Sequence, residues 1–248
     1  MFDMDSFISW VGGKKALRDK IIERFPPQFD RYIEVCGGAA WVLFRADRHA
    51  PTEIYNDANS DLVNLFRCAK FHAQELAWQL EYMLVSREMF LDMRNAQCLT
   101  DIQRAARFYY LLKCSFGADV CSFGCAPLDL QRALDRLPDV QARLRRVLIE
   151  HKDFAALIKQ YDRPSALFYC DPPYWGAEDY YTAEFGAYDH QRLHDCLAGI
   201  KGKFVLSYND CPEVRALYDG YHIETIERQH NLTGKAGARY QELIIRNF

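Results

Sequence analysis

The run Ala166-Leu167-Phe168-Tyr169-Cys170 is closed by Asp171-Pro172-Pro173-Tyr174, and no other junction constrains the chain as strongly. Five apolar, β-prone residues read as a buried strand. Two successive prolines cannot donate to a sheet ladder, so they end that strand in a rigid, extended turn. The turn leaves backbone carbonyls free between a carboxylate and a phenol ring. A planar heterocycle with an exocyclic amine suits such a place. The carboxylate and a carbonyl accept its two N–H groups while the ring stacks on its face. A plain Asp-Pro turn has the same local sequence, so the rest of the chain has to separate the two readings.

Further strands are expected at Tyr32–Cys36, Glu53–Asn56, Arg146–Glu150, Phe204–Tyr208, His222–Glu227 and Glu242–Asn247. Helical segments fall between the earlier ones, at Ala39–Arg48, Ser60–Cys68, Phe154–Tyr161 and His190–Ile200. Strands alternating with helices imply βαβ units and a mainly parallel sheet. The last two strands have no helix between them and suit an antiparallel edge pair. From about Phe71 to Leu144 the rhythm breaks. Helices are expected at Ala73–Val85, Asp101–Lys113 and Asp139–Arg145, with Ala105, Phe108, Tyr109 and Leu112 at helical spacing. Between them, Cys114 to Gly124 reads as a hairpin or loop. The chain therefore divides into a discontinuous α/β core, residues 1–70 and 145–248, and an insert, residues 71–144.

At 248 residues, half hydrophobic and 26% charged, the chain has the makeup of a soluble globular protein. Its N-terminus lacks the basic and apolar regions of a signal peptide, and no stretch approaches the roughly 18 apolar residues of a membrane span. A cytoplasmic protein without membrane contact is expected, with a monomer favoured. The nine cysteines are irregularly spaced and include no Cys-x-x-Cys pair, which points to reduced thiols and no metal. Cys36, Cys68, Cys114, Cys170 and Cys196 lie in apolar stretches and read as small buried hydrophobes. A net charge of −3 gives no global sign of nucleic acid. Phosphate binding needs only a basic face, however, and three clusters provide candidates: Lys14, Lys15, Arg18 and Lys20; Arg143, Arg145 and Arg146; and Arg228, Lys235 and Arg239.

Ligands of open parallel sheets bind outside the carboxyl ends of the strands. Glu34 and the small residues Gly37-Gly38-Ala39-Ala40 lie at the first end, Asp57 at the second, Asp153-Phe154 at the third and Asp171 at the fourth. Small residues let a ligand approach the backbone and the expected helix N-terminus, which favours an anion. Asp57 stands 20 residues after Gly37, where an acid accepts ribose hydroxyls. Neither Gly-x-Gly-x-x-Gly nor a phosphate loop is present, since Gly12-Gly13-Lys14-Lys15-Ala16 fails that spacing. A nucleoside without a pyrophosphate, such as S-adenosylmethionine, fits better.

Ser9-Trp10-Val11-Gly12-Gly13-Lys14, Glu34-Val35-Cys36-Gly37-Gly38-Ala39, Tyr55-Asn56-Asp57-Ala58-Asn59-Ser60-Asp61, Asp153-Phe154, Asp171-Pro172-Pro173-Tyr174 and Glu242-Leu243-Ile244-Ile245 occur in one order. In that order the chain resembles Dam-like (alpha-class) DNA adenine N6-methyltransferases, phage- or prophage-type members among them. The resemblance implies a Rossmann-like S-adenosylmethionine-dependent methyltransferase core of the α/β class, with the mainly helical insert as a target-recognition subdomain. It implies Trp10, Lys14, Glu34, Gly37, Asp57, Asp153 and Phe154 around S-adenosylmethionine, and double-stranded DNA as partner. Asp171 and the Pro172 carbonyl would then aim the adenine amine at the methyl group. Pro173 would shape the turn, and a flipped-out base would stack on Tyr174.

DNA contacts are expected from Ser115 and Ser122 in the insert, from Tyr180 and Tyr181 in an aromatic loop, and from Arg228, Lys235 and Arg239. Many relatives carry Asn-Arg-Tyr-Gly-[Tyr/Phe]-Asn-Gly with a following arginine in the recognition segment. Here the stretch is Lys113-Cys114-Ser115-Phe116-Gly117-Ala118-Asp119, with Ser122 near the arginine's place. The guanine-reading arginine of a GATC enzyme is therefore missing. Two other readings stay open from sequence: another amine acceptor (cytosine, RNA or a protein glutamine), or an inactive DNA-binding relative.

Overall fold

The computed structural model describes residues 4–125, 128–177, 185–229 and 239–248. Its centre is a seven-stranded sheet of β1 (Arg31–Glu34), β2 (Thr52–Asn56), β3 (Val147–Glu150), β4 (Ala166–Cys170), β5 (Lys203–Asn209), β6 (His222–Gln229) and β7 (Arg239–Arg246). The spatial order is β3-β2-β1-β4-β5-β7-β6. The neighbours from β3 to β5 pair in parallel, and β7 runs antiparallel to both β5 and β6. This is the expected mainly parallel α/β core, closed by the expected antiparallel edge pair. The chain moves outward from β1 to β2 and β3, then returns to β4 on the other side of β1. That reversal opens a crevice at the carboxyl ends of β1 and β4.

Alternation along the strands sends side chains into two apolar layers. Tyr32, Tyr55, Leu167, Tyr169, Val205 and Ile244 join the layer on one face, and Ile33, Ile54, Phe168, Leu206 and Ile245 the other. The second face is covered by α8 (Phe154–Tyr161), α9 (Ala187–Ala198) and α10 (Pro212–Leu217), which supply Leu157, Ile158, Leu193, Leu197 and Val214. The first face meets α1 (Arg18–Ile22), α2 (Ser60–Phe71) and a helical block. That block comprises α3 (Ala73–Glu81), α4 (Arg87–Asn95), α5 (Asp101–Cys114), α6 (Leu130–Leu134) and α7 (Leu137–Leu144). Phe66 of α2 stacks on Tyr55 with centroids 4.1 Å apart and meets Phe7 edge-on at 5.2 Å, so sheet, N-terminal segment and helices share one aromatic layer.

Local chemistry explains where these helices start. Asn59 accepts the Leu62 N–H at the head of α2, and Thr100 and Gln103 form a reciprocal capping box on α5. Asp153 accepts the N–H groups of Ala155 and Ala156 to start α8. Helices α1, α4, α6 and α10 escaped the sequence reading: α1, α6 and α10 have only five or six residues, and in α4 only Phe90 is fully buried.

One expected element is corrected. Ala39–Arg48 is not an α-helix; it holds only a 3₁₀ turn at Leu43–Arg45. Gly38 and Ala40 both adopt left-handed backbone (φ 50° and 55°), and the Leu43 N–H is taken by the Glu34 carboxylate at 3.0 Å. No α-helix N-terminus therefore faces the site after β1, and the anion preference expected there lapses. Two cysteine placements also shift, since Cys36 and Cys196 are half-buried, while Cys68, Cys114 and Cys170 are buried. Among the described residues no helix is long and apolar enough to cross a membrane, and no cluster could hold a metal ion.

The irregular turn is anchored from the helical block. Arg143 of α7 forms two 2.8 Å bonds to the Glu53 carboxylate on β2 and donates to the carbonyls of Leu43 (2.7 Å) and Ala46 (2.8 Å). Both partners of the ion pair are buried. Removing one partner leaves an uncompensated buried charge. Arg143→Met is expected to lower unfolding free energy by about 3–5 kcal/mol in urea titrations. A loss below about 1 kcal/mol would show that the turn does not depend on this pair.

Candidate active site

The crevice at the β1–β4 reversal is a solvent-open pocket with about 990 Å³ of empty space, the solvent at its mouth included. Trp10, Lys14, Glu34, Gly37, Asp57, Asp153, Phe154, Asp171 and Pro173 all line it. Residues far apart in sequence and singled out for four different strand ends thus share one space. Each acid is placed by the same device, a strand that stops and a following segment that turns back over it.

At the first end Glu34 is buried and accepts from the Tyr32 hydroxyl (2.9 Å) and the Leu43 N–H. Burial outweighs both donors and pushes its carboxyl up to about 8. Gly37 has no room for a side chain, because a Cβ there would lie 2.2 Å from the Tyr55 ring. A Cβ on Gly38 would meet Trp10 at 3.0 Å, so the glycine pair lets indole and turn close up against each other.

At the second end the Asp57 carboxylate accepts the N–H groups of Gly38 and Asn59, both at 2.8 Å. Burial raises its carboxyl as well, against those donors. Each carboxylate oxygen has further lone-pair capacity, so the side chain can hold the turn and still accept from a ligand. At the third end Asp153 is exposed and partnered by Arg192 of α9. Partial burial opposes its charge, but the guanidinium and the α8 N–H groups hold its carboxyl below the ordinary value. The same guanidinium lies 4.2 Å over the Phe154 ring, which also faces Phe185 at 5.9 Å.

Asp171 sits one residue beyond β4. Its Oδ1 accepts from Lys14 Nζ and from the Ser207 hydroxyl, each at 2.8 Å. Burial pushes its carboxyl above the ordinary range, while Lys14 and Ser207 act in the opposite direction. Lys14 itself is buried; it also donates to the Gly12 carbonyl at 2.9 Å and stands 4.6 Å above the centroid of Tyr174. Pro172 and Pro173 are buried, and Tyr174 is half-buried with its hydroxyl donating to Glu242 at 2.7 Å.

The lining is acidic. Lys14 and Arg192 each have a carboxylate partner, whereas Asp57, among the described residues, is held by backbone N–H groups with no ion pair. A cationic ligand relieves that imbalance, and the rings of Trp10, Trp41, Phe154 and Phe185 offer flat apolar walls.

The residues expected to touch DNA are less uniformly placed. Ser115 and Ser122 belong to one bridged loop, with Ser115 paired to Phe123 and the Phe116 N–H donating to the Ser122 carbonyl at 2.9 Å. Both hydroxyls are engaged within the loop, Ser115 with Leu112 and Val120, and Ser122 with Asp119. Phe116 at the tip is exposed, and Ala118 and Val120 adopt left-handed backbone. Arg228 and Arg239 stand on β6 and β7 where that hairpin reaches the carboxyl edge of the sheet. Tyr180, Tyr181 and Lys235 lie outside the described residues. Arg192, Trp41 and Ser207 were not picked out from sequence. An arginine three residues after an acid on a helix, or a serine in an apolar strand, carries no mark of a site until the fold brings it there.

An acid-rich pocket thus lies at the switch point of this mixed sheet, with the Asp171-Pro172-Pro173-Tyr174 turn at its edge. The model of the D12 class N6 adenine-specific DNA methyltransferase family matches residues 10–119 and 123–232, and the chain belongs to that family. It is 28% identical to the type II methyltransferase M1.LlaDCHI of Lactococcus lactis subsp. cremoris, across 98% of this chain and 95% of that protein. It is 24% identical to the DNA adenine methylase of Salmonella typhi, across 94% and 91%. With the retron Ec67 DNA adenine methylase of Escherichia coli the identity is 21%, across 94% and 87%. The reaction of the family is methylation of adenine in DNA, and that is the activity of this enzyme.

The raised Glu34 carboxyl carries a pH signature. Its folded value of about 8 lies above the ordinary 4.5, so the folded state holds the proton more tightly and stability falls as pH rises from about 4.5 to 8. Full ionisation costs on the order of 5 kcal/mol. Glu34→Gln removes this dependence. The melting temperature of the wild-type protein is expected to drop relative to the variant between pH 5 and pH 8, by calorimetry; parallel curves would contradict the assignment.

Proposed function

We propose that the crevice binds S-adenosylmethionine and that Asp171, the Pro172 carbonyl and Tyr174 receive an adenine flipped out of double-stranded DNA. The observation that carries this reading is the way Asp171 and Tyr174 already hold an amine. The Lys14 ammonium donates to Asp171 at 2.8 Å and lies 4.6 Å above the Tyr174 ring. Carboxylate and ring therefore stand close enough together for one group to meet both at once. An adenine amine makes the same two contacts with its N–H and its ring.

The donor set fits the methyl donor. Its adenine finds the walls of Phe154, Phe185 and Trp41, and its ribose hydroxyls find Asp57. Its cationic groups enter a lining in which Asp57, among the described residues, is held by backbone N–H groups and forms no ion pair. When bound, S-adenosylmethionine supplies an electrophilic methyl group on a sulfonium.

The chain's residues act on the acceptor. The adenine N6 lone pair is delocalised into the ring and is a poor nucleophile. Hydrogen bonds from N6 to the Asp171 carboxylate and the Pro172 carbonyl favour a pyramidal nitrogen and direct its lone pair. Positioning of this kind supplies several kcal/mol of a displacement barrier. Asp171, negative and half-buried, stabilises the positive charge that develops on nitrogen, and the N6 proton leaves during or after transfer. Lys14 screens the carboxylate before the base arrives. The bridged loop at Ser115–Phe123 and the β6–β7 pair are assigned to the DNA, and residues 71–144 to target recognition.

Incubation with labelled S-adenosylmethionine and unmethylated double-stranded DNA, followed by digestion, is expected to yield N6-methyladenine. None across a wide set of DNA sequences would defeat the proposal. Asp171→Ala is expected to lower kcat on the order of 10³-fold while calorimetric affinity for S-adenosylmethionine stays within about threefold. Undiminished turnover would remove Asp171 from its assigned role.

A further inference from the structure

Glu242 belongs to a sequence motif for which the reaction as described has no use, yet its carboxylate is 4% exposed. A buried carboxylate is costly unless donors hold it. Here one donor is the Tyr174 hydroxyl at 2.7 Å, a charge-assisted bond to the very ring on which the base is to stack. The antiparallel course of β7 puts this acid there. Its first residues lie at the carboxyl ends of β1, β4 and β5, so the start of β7, rather than its end, faces the site.

The pairing partner of Glu242 on β5 is Asn209, and Asn209 clamps the next residue of the turn. The Trp175 N–H donates to Asn209 Oδ1 at 3.0 Å, and Asn209 Nδ2 donates to the Trp175 carbonyl at 3.1 Å. Two residues back along β5, on the same face, Ser207 donates to Asp171. The turn is thus gripped at residues 171, 174 and 175 by side chains of two adjacent strands. The hydroxyl of a tyrosine lies on the rotation axis of its ring, so the bond to Glu242 does not limit ring flipping. It determines where that axis points, and hence the height of the ring relative to Asp171.

We propose that Glu242 is a positioning residue for methyl transfer, acting through the Tyr174 hydroxyl to hold the stacking ring at the height that brings the target amine to Asp171. This rests on the reaction proposed above. Displacement of a positioned group by about 1 Å can cost on the order of 10²-fold in rate, so loss of one anchor of the ring is expected to lower kcat without disturbing the methyl donor's end of the crevice.

The test compares Glu242→Ala, Glu242→Gln, Tyr174→Phe and the double variant Tyr174→Phe/Glu242→Ala, scoring kcat on unmethylated DNA and the Kd for S-adenosylmethionine. Glu242→Ala and Tyr174→Phe are each expected to lower kcat about tenfold, with Kd within about twofold. Glu242→Gln keeps an acceptor for the hydroxyl and is expected to stay within about threefold of wild type. The double variant is expected to be no more than about threefold slower than the slower single variant, because both remove the same bond. Full activity in Glu242→Ala, a Glu242→Gln variant as slow as Glu242→Ala, or losses that multiply would each overturn the proposal. Should Glu242→Ala fail to fold in urea titrations, Tyr174→Phe and Glu242→Gln decide it, through the loss in the first and the retention in the second. Wild-type transfer is scored first: its absence overturns the reaction and this proposal together, whereas an active wild type with multiplying losses overturns the role of Glu242 alone.

Discussion

The burial of carboxylates at the ends of parallel strands is the constraint on which the rest of this site depends. A carboxylate removed from water must find donors, and here the donors are mostly backbone N–H groups of the segment that follows the strand. Glu34 takes the N–H of Leu43, and Asp57 takes those of Gly38 and Asn59. The loops are therefore shaped by the acids as much as the acids are placed by the loops. This reciprocity replaces the expected helix after β1 with an irregular turn, since the Leu43 N–H and the left-handed residues Gly38 and Ala40 serve the site instead of a helical ladder.

The same face of the sheet holds a second polar row. Tyr32 and Glu34 on β1, Tyr169 on β4, Ser207 and Asn209 on β5 and Glu242 on β7 form bonded pairs that run along the carboxyl edge. Polar groups buried in a fully satisfied network rigidify what they touch. In this enzyme they touch the Asp171–Trp175 turn at three points. A rigid turn suits the role proposed for it, in which the protein does little beyond placing a weak nucleophile and accommodating its developing charge.

Much of the architecture was legible because its signals are local. The strands at Glu53–Asn56 and Ala166–Cys170 are short apolar runs between turn residues, and α8 begins at a capping aspartate. Asp171, Asp57 and Asp153 were legible for a different reason: each follows a strand, and parallel strands put all their carboxyl ends on one edge. Helix α4 was missed although Met89, Phe90 and Met93 form a short apolar stripe, because only Phe90 of them is fully buried and the helix has just nine residues. Lys14 shows the limit of reasoning from motif alone. It was expected beside the methyl donor, and it lines that crevice, but its ammonium rests on Asp171 and Tyr174. A flexible four-carbon stem reaches whichever carboxylate the fold brings near, and sequence does not encode that choice locally.

The sequence by itself determined the class of sheet, the strand-ending turn at Asp171-Pro172-Pro173-Tyr174 and the family, because proline, glycine and apolar periodicity act on their immediate neighbours. Only the tertiary structure decided which groups surround that turn. Ser207, Asn209 and Glu242 come from strands 36 to 71 residues further along the chain, and strand pairing, with one strand reversed, brings them there. Hydrogen bonds over such separations depend on register and direction in the sheet. Those are properties of the whole fold.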